Sequence, residues 1–155
     1  VAGIDGGLST AVGDALAHPD ERVVLVTGDA AWLYDLNGLM VKPMPDNLKV
    51  IVINNGGGNI FHWLKGPREI GLLESHFEVP FLEDAVASAA LVGLDYFRAD
   101  QSAEFAKIFE AWSNNSAPAL LEIHTPGATS SHCFQELQEA IGSGMQRRGN
   151  TSQTQ

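Results

Sequence analysis

The 155-residue chain carries nine Lys+Arg against 19 Asp+Glu, a formal net charge of −10, with 45% of residues hydrophobic and 18% charged. The length suits one domain with a real core, and the aliphatic content excludes a disordered chain. The acidic excess argues against nucleic acid and anionic membrane as partners, no apolar run reaches the ~20 residues a membrane insertion needs, and a lone Cys133 excludes a disulfide framework or a multi-cysteine zinc site.

The chain opens Val1-Ala2-Gly3-Ile4-Asp5-Gly6-Gly7, without Met or a charged leader. That start reads as a cut inside a longer protein. Leu8 to Ala17 then sets Leu8, Ala11, Val12, Ala15 and Leu16 on one helical face. Val23 to Thr27 is a short aliphatic run, read as a strand buried on both faces. A helix follows over Trp32 to Val41, with Leu33, Leu36, Leu39 and Met40 apolar, and Val50 to Ile53 reads as a second buried strand. The connection from Gly56 to Val79 is long, holds consecutive glycines, and has few regular apolar positions. Connections of that length are often functional, and mobility is expected for it. Leu82 to Val92 is helical after Pro80-Phe81 and stops at Gly93. Tyr96 to Ala99 and Ala119 to His124 are the remaining strands. Between them Ser102 caps a helix bearing Phe105, Ile108, Phe109 and Trp112, with Glu104 in its first turn. A last helix runs from Ser130 or Ser131 through Ile141, with Cys133 as a packing residue. The polar Gly/Ser/Gln-rich tail 142–155 is expected to be disordered, leaving 1–141 as one domain of a larger enzyme.

Strands alternating with helices imply an α/β fold, a mostly parallel sheet with helices on both faces. Ligands bind such sheets beyond the carboxyl ends of the strands. Two segments fall there, Thr27-Gly28-Asp29-Ala30-Ala31 and Asn54-Asn55-Gly56-Gly57-Gly58-Asn59. Taken singly, Asp29 reads as a helix cap and Asn54-Asn55-Gly56 as a turn. Taken together on consecutive strands, a carboxylate, an amide oxygen and bare glycine carbonyls are hard donors suited to Mg²⁺ or Ca²⁺. A helix start beside them suits phosphate, so the pair describes a metal-bridged diphosphate site. There is no G-x-x-x-x-G-K-[ST] phosphate loop, no helical pair of metal-binding histidines, and no nucleophile elbow around Ser130, Ser131 or Cys133.

Gly28-Asp29-Ala30 followed by Asn54-Asn55, with Asn55 26 positions after Asp29, resembles the Gly-Asp-Gly…Asn-Asn signature of thiamine-diphosphate enzymes, with Ala30 in place of its last glycine. Gly3-Ile4-Asp5-Gly6, Ser9-Thr10-Ala11, Tyr34-Asp35-Leu36-Asn37-Gly38-Leu39 and Asn54 through Phe61 are similar to the C-terminal domain of the MenD family, synthases of menaquinone biosynthesis. That branch accepts a residue other than glycine after Gly-Asp. The resemblance covers residues 1–125 and is strongest over 1–64.

The resemblance implies thiamine diphosphate and Mg²⁺ as cofactors, with Mn²⁺ as a substitute. It implies metal ligands at the side chains of Asp29 and Asn55 and the carbonyl of Gly57. Gly28, Ala30 and Ala31 would meet the diphosphate, Ala2 and Ile4 the aminopyrimidine, and Ile4 would wedge between the cofactor rings. Ile60, Phe61 and Leu64 would line the substrate side, though they read equally well as core packing. The implied reaction decarboxylates 2-oxoglutarate and adds the succinyl carbanion equivalent to isochorismate, in a cytoplasmic homo-oligomer. The glutamate that activates the aminopyrimidine belongs, in the family, to a separate N-terminal pyrimidine-binding domain of the partner subunit. An arginine expected just before residue 1 is missing, and Lys65 and Arg68 are the basic candidates for the anionic substrates. The chain is therefore expected to hold half an active site and to be inactive alone. Two other readings stay open: another thiamine-diphosphate-dependent 2-oxo acid decarboxylase, such as one for sulfopyruvate or phosphonopyruvate, and a non-catalytic nucleotide- or phosphate-binding module.

Overall fold

The structure, a computed structural model, describes residues 4–78 and 84–151. Among them four strands, β1 (Val23–Gly28), β2 (Leu48–Asn54), β3 (Asp95–Ala99) and β4 (Ala119–His124), form one sheet in the order β1-β2-β4-β3, every pair parallel. Helices α1 (Gly7–Ala17), α2 (Asp29–Tyr34) and α4 (Val86–Val92) pack on one face and α5 (Ser102–Asn114) on the other. The expected α/β architecture is thus the observed one.

Pleat alternation sorts the core. Leu48, Val50, Val52 and Leu120 point to the α1/α2/α4 face, where Leu8, Val12, Trp32, Ala89 and Val92 meet them. Leu121 and Ala119 point to the α5 face with Trp112. β2 and β4 are buried on both sides, as their aliphatic runs suggest. β1 is not: Val24 and Val26 are 49% and 62% exposed. β1 is an edge strand, and α5 packs chiefly over β3 and β4. Composition alone cannot distinguish an edge from a centre. Lys49, buried at the opposite end of β2 from the site, donates to the carbonyls of Asn115 and Ala117, and burial lowers its pKa.

Several helix limits differ from expectation. The helix read over Trp32 to Val41 begins earlier, at Asp29, and breaks at Asp35, after which Leu36–Leu39 is a 3₁₀ turn. The break has a cause. Asp35 is pulled to α1, where its carboxylate accepts from the Ser9 amide (2.7 Å) and hydroxyl (2.6 Å), capping that helix from a distance. Gly38 permits the approach, since a Cβ there would lie 2.3 Å from Ser9 Oγ. Ser102 is the first residue of α5 rather than its cap, which is Gln101. Gly93 ends α4 as expected, at φ 83°, with its own amide and that of Leu94 returning to Ala89. The start read at Leu82 lies outside the described residues, but Asp84 and Ala85 are not helical and α4 begins at Val86, later than expected.

The described part of the long connection carries three short helical turns, Asn59–His62, α3 (Lys65–Glu69) and Leu73–Phe77. The last helix, α6, runs Gly127–Thr151, through positions read as a disordered tail. Once started, a helix adds one hydrogen bond per residue, so polar sequence can extend it without a packed face. Cys133 is exposed on α6 and has no packing role.

Candidate functional site

Asp29 and Asn55 follow directly on β1 and β2, whose last register pair is Gly28 with Ile53. The neighbouring parallel strands therefore deliver both residues to the same end of the sheet. Trp32, fully buried with its indole N–H donating to Ser88 Oγ (2.9 Å), pins α2 to α4 and so fixes where Asp29 stands.

Asp29 is 4% exposed, and its two oxygens face different ways. Oδ1 accepts from the Ala30 amide at 2.8 Å, and Oδ2 accepts from the Gly57 amide at 2.6 Å. The carboxylate thus holds the glycine loop against the start of α2. Gly56, Gly57 and Gly58 have φ of 88°, 83° and 60°. Three such residues in a row are strained for any L side chain. At Gly58 a Cβ would also lie 2.2 Å from the Phe77 carbonyl oxygen, so the loop is both left-handed and tightly covered.

The two asparagines have separate roles. The turn reading fits Asn54, whose Oδ1 accepts from the Gly56 amide (3.2 Å). Asn55 is different: its Oδ1 is buried with no hydrogen-bond partner. A buried acceptor without a donor costs free energy unless something supplies positive charge. Together with the Asp29 carboxylate, it fits an oxygen-liganded divalent cation.

A cavity of about 450 Å³ opens here, lined by Ile4, Asp29, Ala30, Asn55, Ile60 and Phe61 among others. Six of the expected site residues thus share one wall. Leu64 is exposed and does not line it; Gly28 and Ala31 flank Asp29 in the chain. Gly57 is buried behind Asp29. Ala2 lies outside the described residues, as do the side chains of Lys65 and Arg68. The cavity also takes in Tyr34, Asn59, His76 and Phe77, which the sequence reading did not single out as site residues. Phe77 stacks at a tilt on Phe61, 5.0 Å between centroids. His76 Nδ1 is 2.7 Å from Ser75 Oγ, and the His62 ring pairs with Glu78 at 2.8 Å.

The first turns of α6 close the site from below. Ser131 donates to Asn59 Oδ1 at 2.6 Å, and Phe134 stacks on Trp63 at 4.1 Å. Gly127 leaves no room for a side chain: its Cβ would stand 2.3 Å from Asn59 Nδ2 and 2.7 Å from the Asn55 carbonyl. Only the positions of Gly127 and Ser131 on a helix start could have signalled this.

Comparison with known proteins agrees with the geometry. The chain is 40% identical over 126 residues to the 2-succinyl-5-enolpyruvyl-6-hydroxy-3-cyclohexene-1-carboxylate synthase of Flavobacterium johnsoniae, a match covering 81% of this chain and 23% of that protein. It is 43% identical over 128 residues to the synthase of the same name from Lactococcus lactis, covering 81% and 22%. The chain thus spans about a quarter of the length of these relatives. Among solved structures, the thiamine diphosphate-dependent 4-hydroxybenzoylformate decarboxylase of Rhodococcus jostii superposes with a TM-score of 0.66 at 26% identity, over 77% of this chain and 23% of that one. Residues 3–123 match the family described as thiamine pyrophosphate enzyme, C-terminal TPP binding domain, and the chain belongs to that family.

Proposed function

We propose that this chain is the diphosphate- and Mg²⁺-binding domain of a 2-succinyl-5-enolpyruvyl-6-hydroxy-3-cyclohexene-1-carboxylate synthase, which decarboxylates 2-oxoglutarate and joins the remaining four-carbon unit to isochorismate in menaquinone biosynthesis. The observation that carries the reading is the unpartnered, buried Asn55 Oδ1 in the same cavity as the Asp29 carboxylate. The relatives' shared activity supplies the substrates.

In this reading the side chains of Asp29 and Asn55 and the carbonyl of Gly57 hold Mg²⁺, or Mn²⁺ in its place. Backbone groups of Gly28, Ala30 and Ala31 face the diphosphate, and those of Ala2 and Ile4 the aminopyrimidine. Ile4, half exposed at the cavity edge, supplies a branched side chain that enforces a bent cofactor by sterics. Thiamine diphosphate, when bound, supplies the carbanion chemistry of decarboxylation and carbon–carbon bond formation. Ile60 and Phe61 present an apolar wall that positions substrate and keeps water from the reacting carbon, and Leu64, which does not line the described cavity, joins that wall only with the second domain in place. Activation of the aminopyrimidine falls to a glutamate of an N-terminal pyrimidine-binding domain, contributed by the partner subunit of a cytoplasmic homo-oligomer. Ile4 and Ile60 at the cavity, with Trp63 and Leu64 further along the same turn of chain, are between 40% and 54% exposed and form the apolar surface such a domain would cover.

The test uses the full-length protein. Calorimetric titration with thiamine diphosphate should show binding that needs Mg²⁺, and 2-oxoglutarate should be consumed only with isochorismate present. Cofactor binding without turnover of this pair would move the enzyme to another 2-oxo acid branch. Absence of Mg²⁺-dependent binding would leave only a phosphate- or nucleotide-binding module.

A further inference from the structure

Beneath the candidate site lies a buried polar network that the roles above do not use. On the face that carries Leu48, Val50 and Val52, the pleat next presents Asn54; on β4, Leu120 is followed on that face by Glu122. Glu122 is fully buried. Burying a carboxylate there is costly unless its oxygens are met. Both are met. Oε1 accepts from Asn54 Nδ2 at 2.7 Å, with His124 Nε2 3.2 Å away but outside hydrogen-bond geometry. Oε2 accepts from the Ala85 amide at 2.9 Å and from the Tyr96 hydroxyl.

The consequence falls on Asn54. A carboxylate only accepts, so it can be met only by the NH₂ end of the Asn54 amide. That leaves Oδ1 pointing the other way, onto the Gly56 amide. Gly56 begins the left-handed run whose next member, Gly57, donates to Asp29. We propose that Glu122 is a positioning residue for the metal loop: by dictating which way the Asn54 amide faces, it sets the turn that presents Asn55 and Gly57 beside Asp29. The inference rests on the metal-site reading above.

An isosteric exchange isolates this role. In Glu122→Gln, the new NH₂ group cannot face the Ala85 amide, because both are donors. It must face Asn54, whose amide then flips and turns its own NH₂ toward the Gly56 amide. The turn loses its acceptor, while shape and packing stay the same. In the double variant E122Q/N54D, the carboxylate introduced at position 54 accepts from the new NH₂ group on one side and from the Gly56 amide on the other. The carbonyl oxygen of the introduced side-chain amide still accepts from Ala85 and Tyr96. The swap preserves both the hydrogen bonds and the net charge.

The experiment titrates the full-length protein with Mn²⁺, an octahedral oxygen-binding ion read by electron paramagnetic resonance, and records melting in chelator alongside. E122Q should weaken Mn²⁺ binding by about 10–100-fold, the range for residues that support metal ligands. The swap variant should recover to within about threefold, the tolerance expected for a preserved local network. A residue with a merely structural role would lower melting without changing affinity per folded molecule. E122Q binding Mn²⁺ as tightly as wild type, or a folded swap variant still weak by about tenfold, overturns the proposal. Wild-type protein that binds no Mn²⁺ overturns the metal-site reading and this role with it, an outcome distinct from the first two.

Discussion

Asp29 and Asn55 are assigned to the same metal, yet the structure gives them opposite roles in its absence, and that contrast can be measured. Asp29→Ala removes an acceptor from two backbone amides, those of Ala30 and Gly57, and leaves the buried Gly57 N–H without a partner. A hydrogen bond to a charged group contributes ~1.5–3 kcal/mol, and an orphaned buried donor costs ~1–3 kcal/mol. Relief of the carboxylate's own burial offsets part of this, so the net loss should be ~2–3 kcal/mol. At ~2–4 °C per kcal/mol for a chain of this size, melting of the 155-residue chain in chelator should fall by about 5–10 °C. Asn55→Ala removes an oxygen that already lacks a donor. Nothing loses a partner, so stability in chelator should stay within ~0.5 kcal/mol of wild type or rise slightly. Both variants, made in the full-length protein, should lose Mg²⁺-dependent binding of thiamine diphosphate, because a methyl group cannot replace an oxygen ligand. Differential scanning fluorimetry in chelator and isothermal titration calorimetry read the two effects separately. If Asn55→Ala melts as low as Asp29→Ala, the Asn55 amide is holding the loop as an ordinary turn. If either variant binds the cofactor with wild-type affinity, the metal assignment is wrong.

What the sequence made legible follows the range over which each cause acts. Asp29 and Asn55 stand directly after aliphatic runs, so their position at the ligand end of a parallel sheet needs only local pattern and one topological rule. The consecutive glycines after Asn55 read only as bare carbonyl donors on a long connection, and the structure adds that all three stand at positive φ. Asp35 was beyond reach: its helix breaks because of Ser9, 26 positions away. The outer face of β1 was misread because Val24 and Val26 look like any buried strand, and only the placement of α5 over β3 and β4 leaves them half exposed or more. Glu122 lies inside the apolar run Ala119 to Ile123, where a charged residue first reads as a solvent-facing break in the alternation. Its donors come from 68, 37 and 26 positions away. Local periodicity finds the residues at the mouth of the site, whereas the residues that brace it are joined only by the fold.

Further outcomes can be checked on the same material. Gly58→Ala should cost more than ~2 kcal/mol in urea unfolding, since it adds a contact with the Phe77 carbonyl to left-handed strain of ~1–2 kcal/mol. Gly56→Ala, equally left-handed but facing open space, should cost only the strain, and equal losses would dismiss the close cover at Gly58. Burial and the Glu122 carboxylate beside it hold the Tyr96 phenol above its ordinary pKa of 10.0. The folded chain then keeps a proton that the unfolded chain releases, so this contribution is complete below about pH 10 and is lost as pH rises toward the folded value. Tyr96→Phe should therefore be less stable at neutral pH and show a flatter alkaline decline, and an unchanged alkaline limb would contradict the buried hydrogen bond. The last outcome concerns the 155-residue chain by itself. It should show no consumption of 2-oxoglutarate with isochorismate, thiamine diphosphate and Mg²⁺ all in excess. Asp29 is the carboxylate among the described residues lining the cavity, and both of its oxygens are engaged by backbone amides. Glu78, nearby on the connection, is paired with His62. No acid of the described cavity is left to activate the aminopyrimidine, and the half-exposed Ile4 and Ile60 leave the apolar wall open to water. Turnover matching the full-length enzyme would show that the activating group lies within these residues after all and that the division of the active site between two domains is wrong.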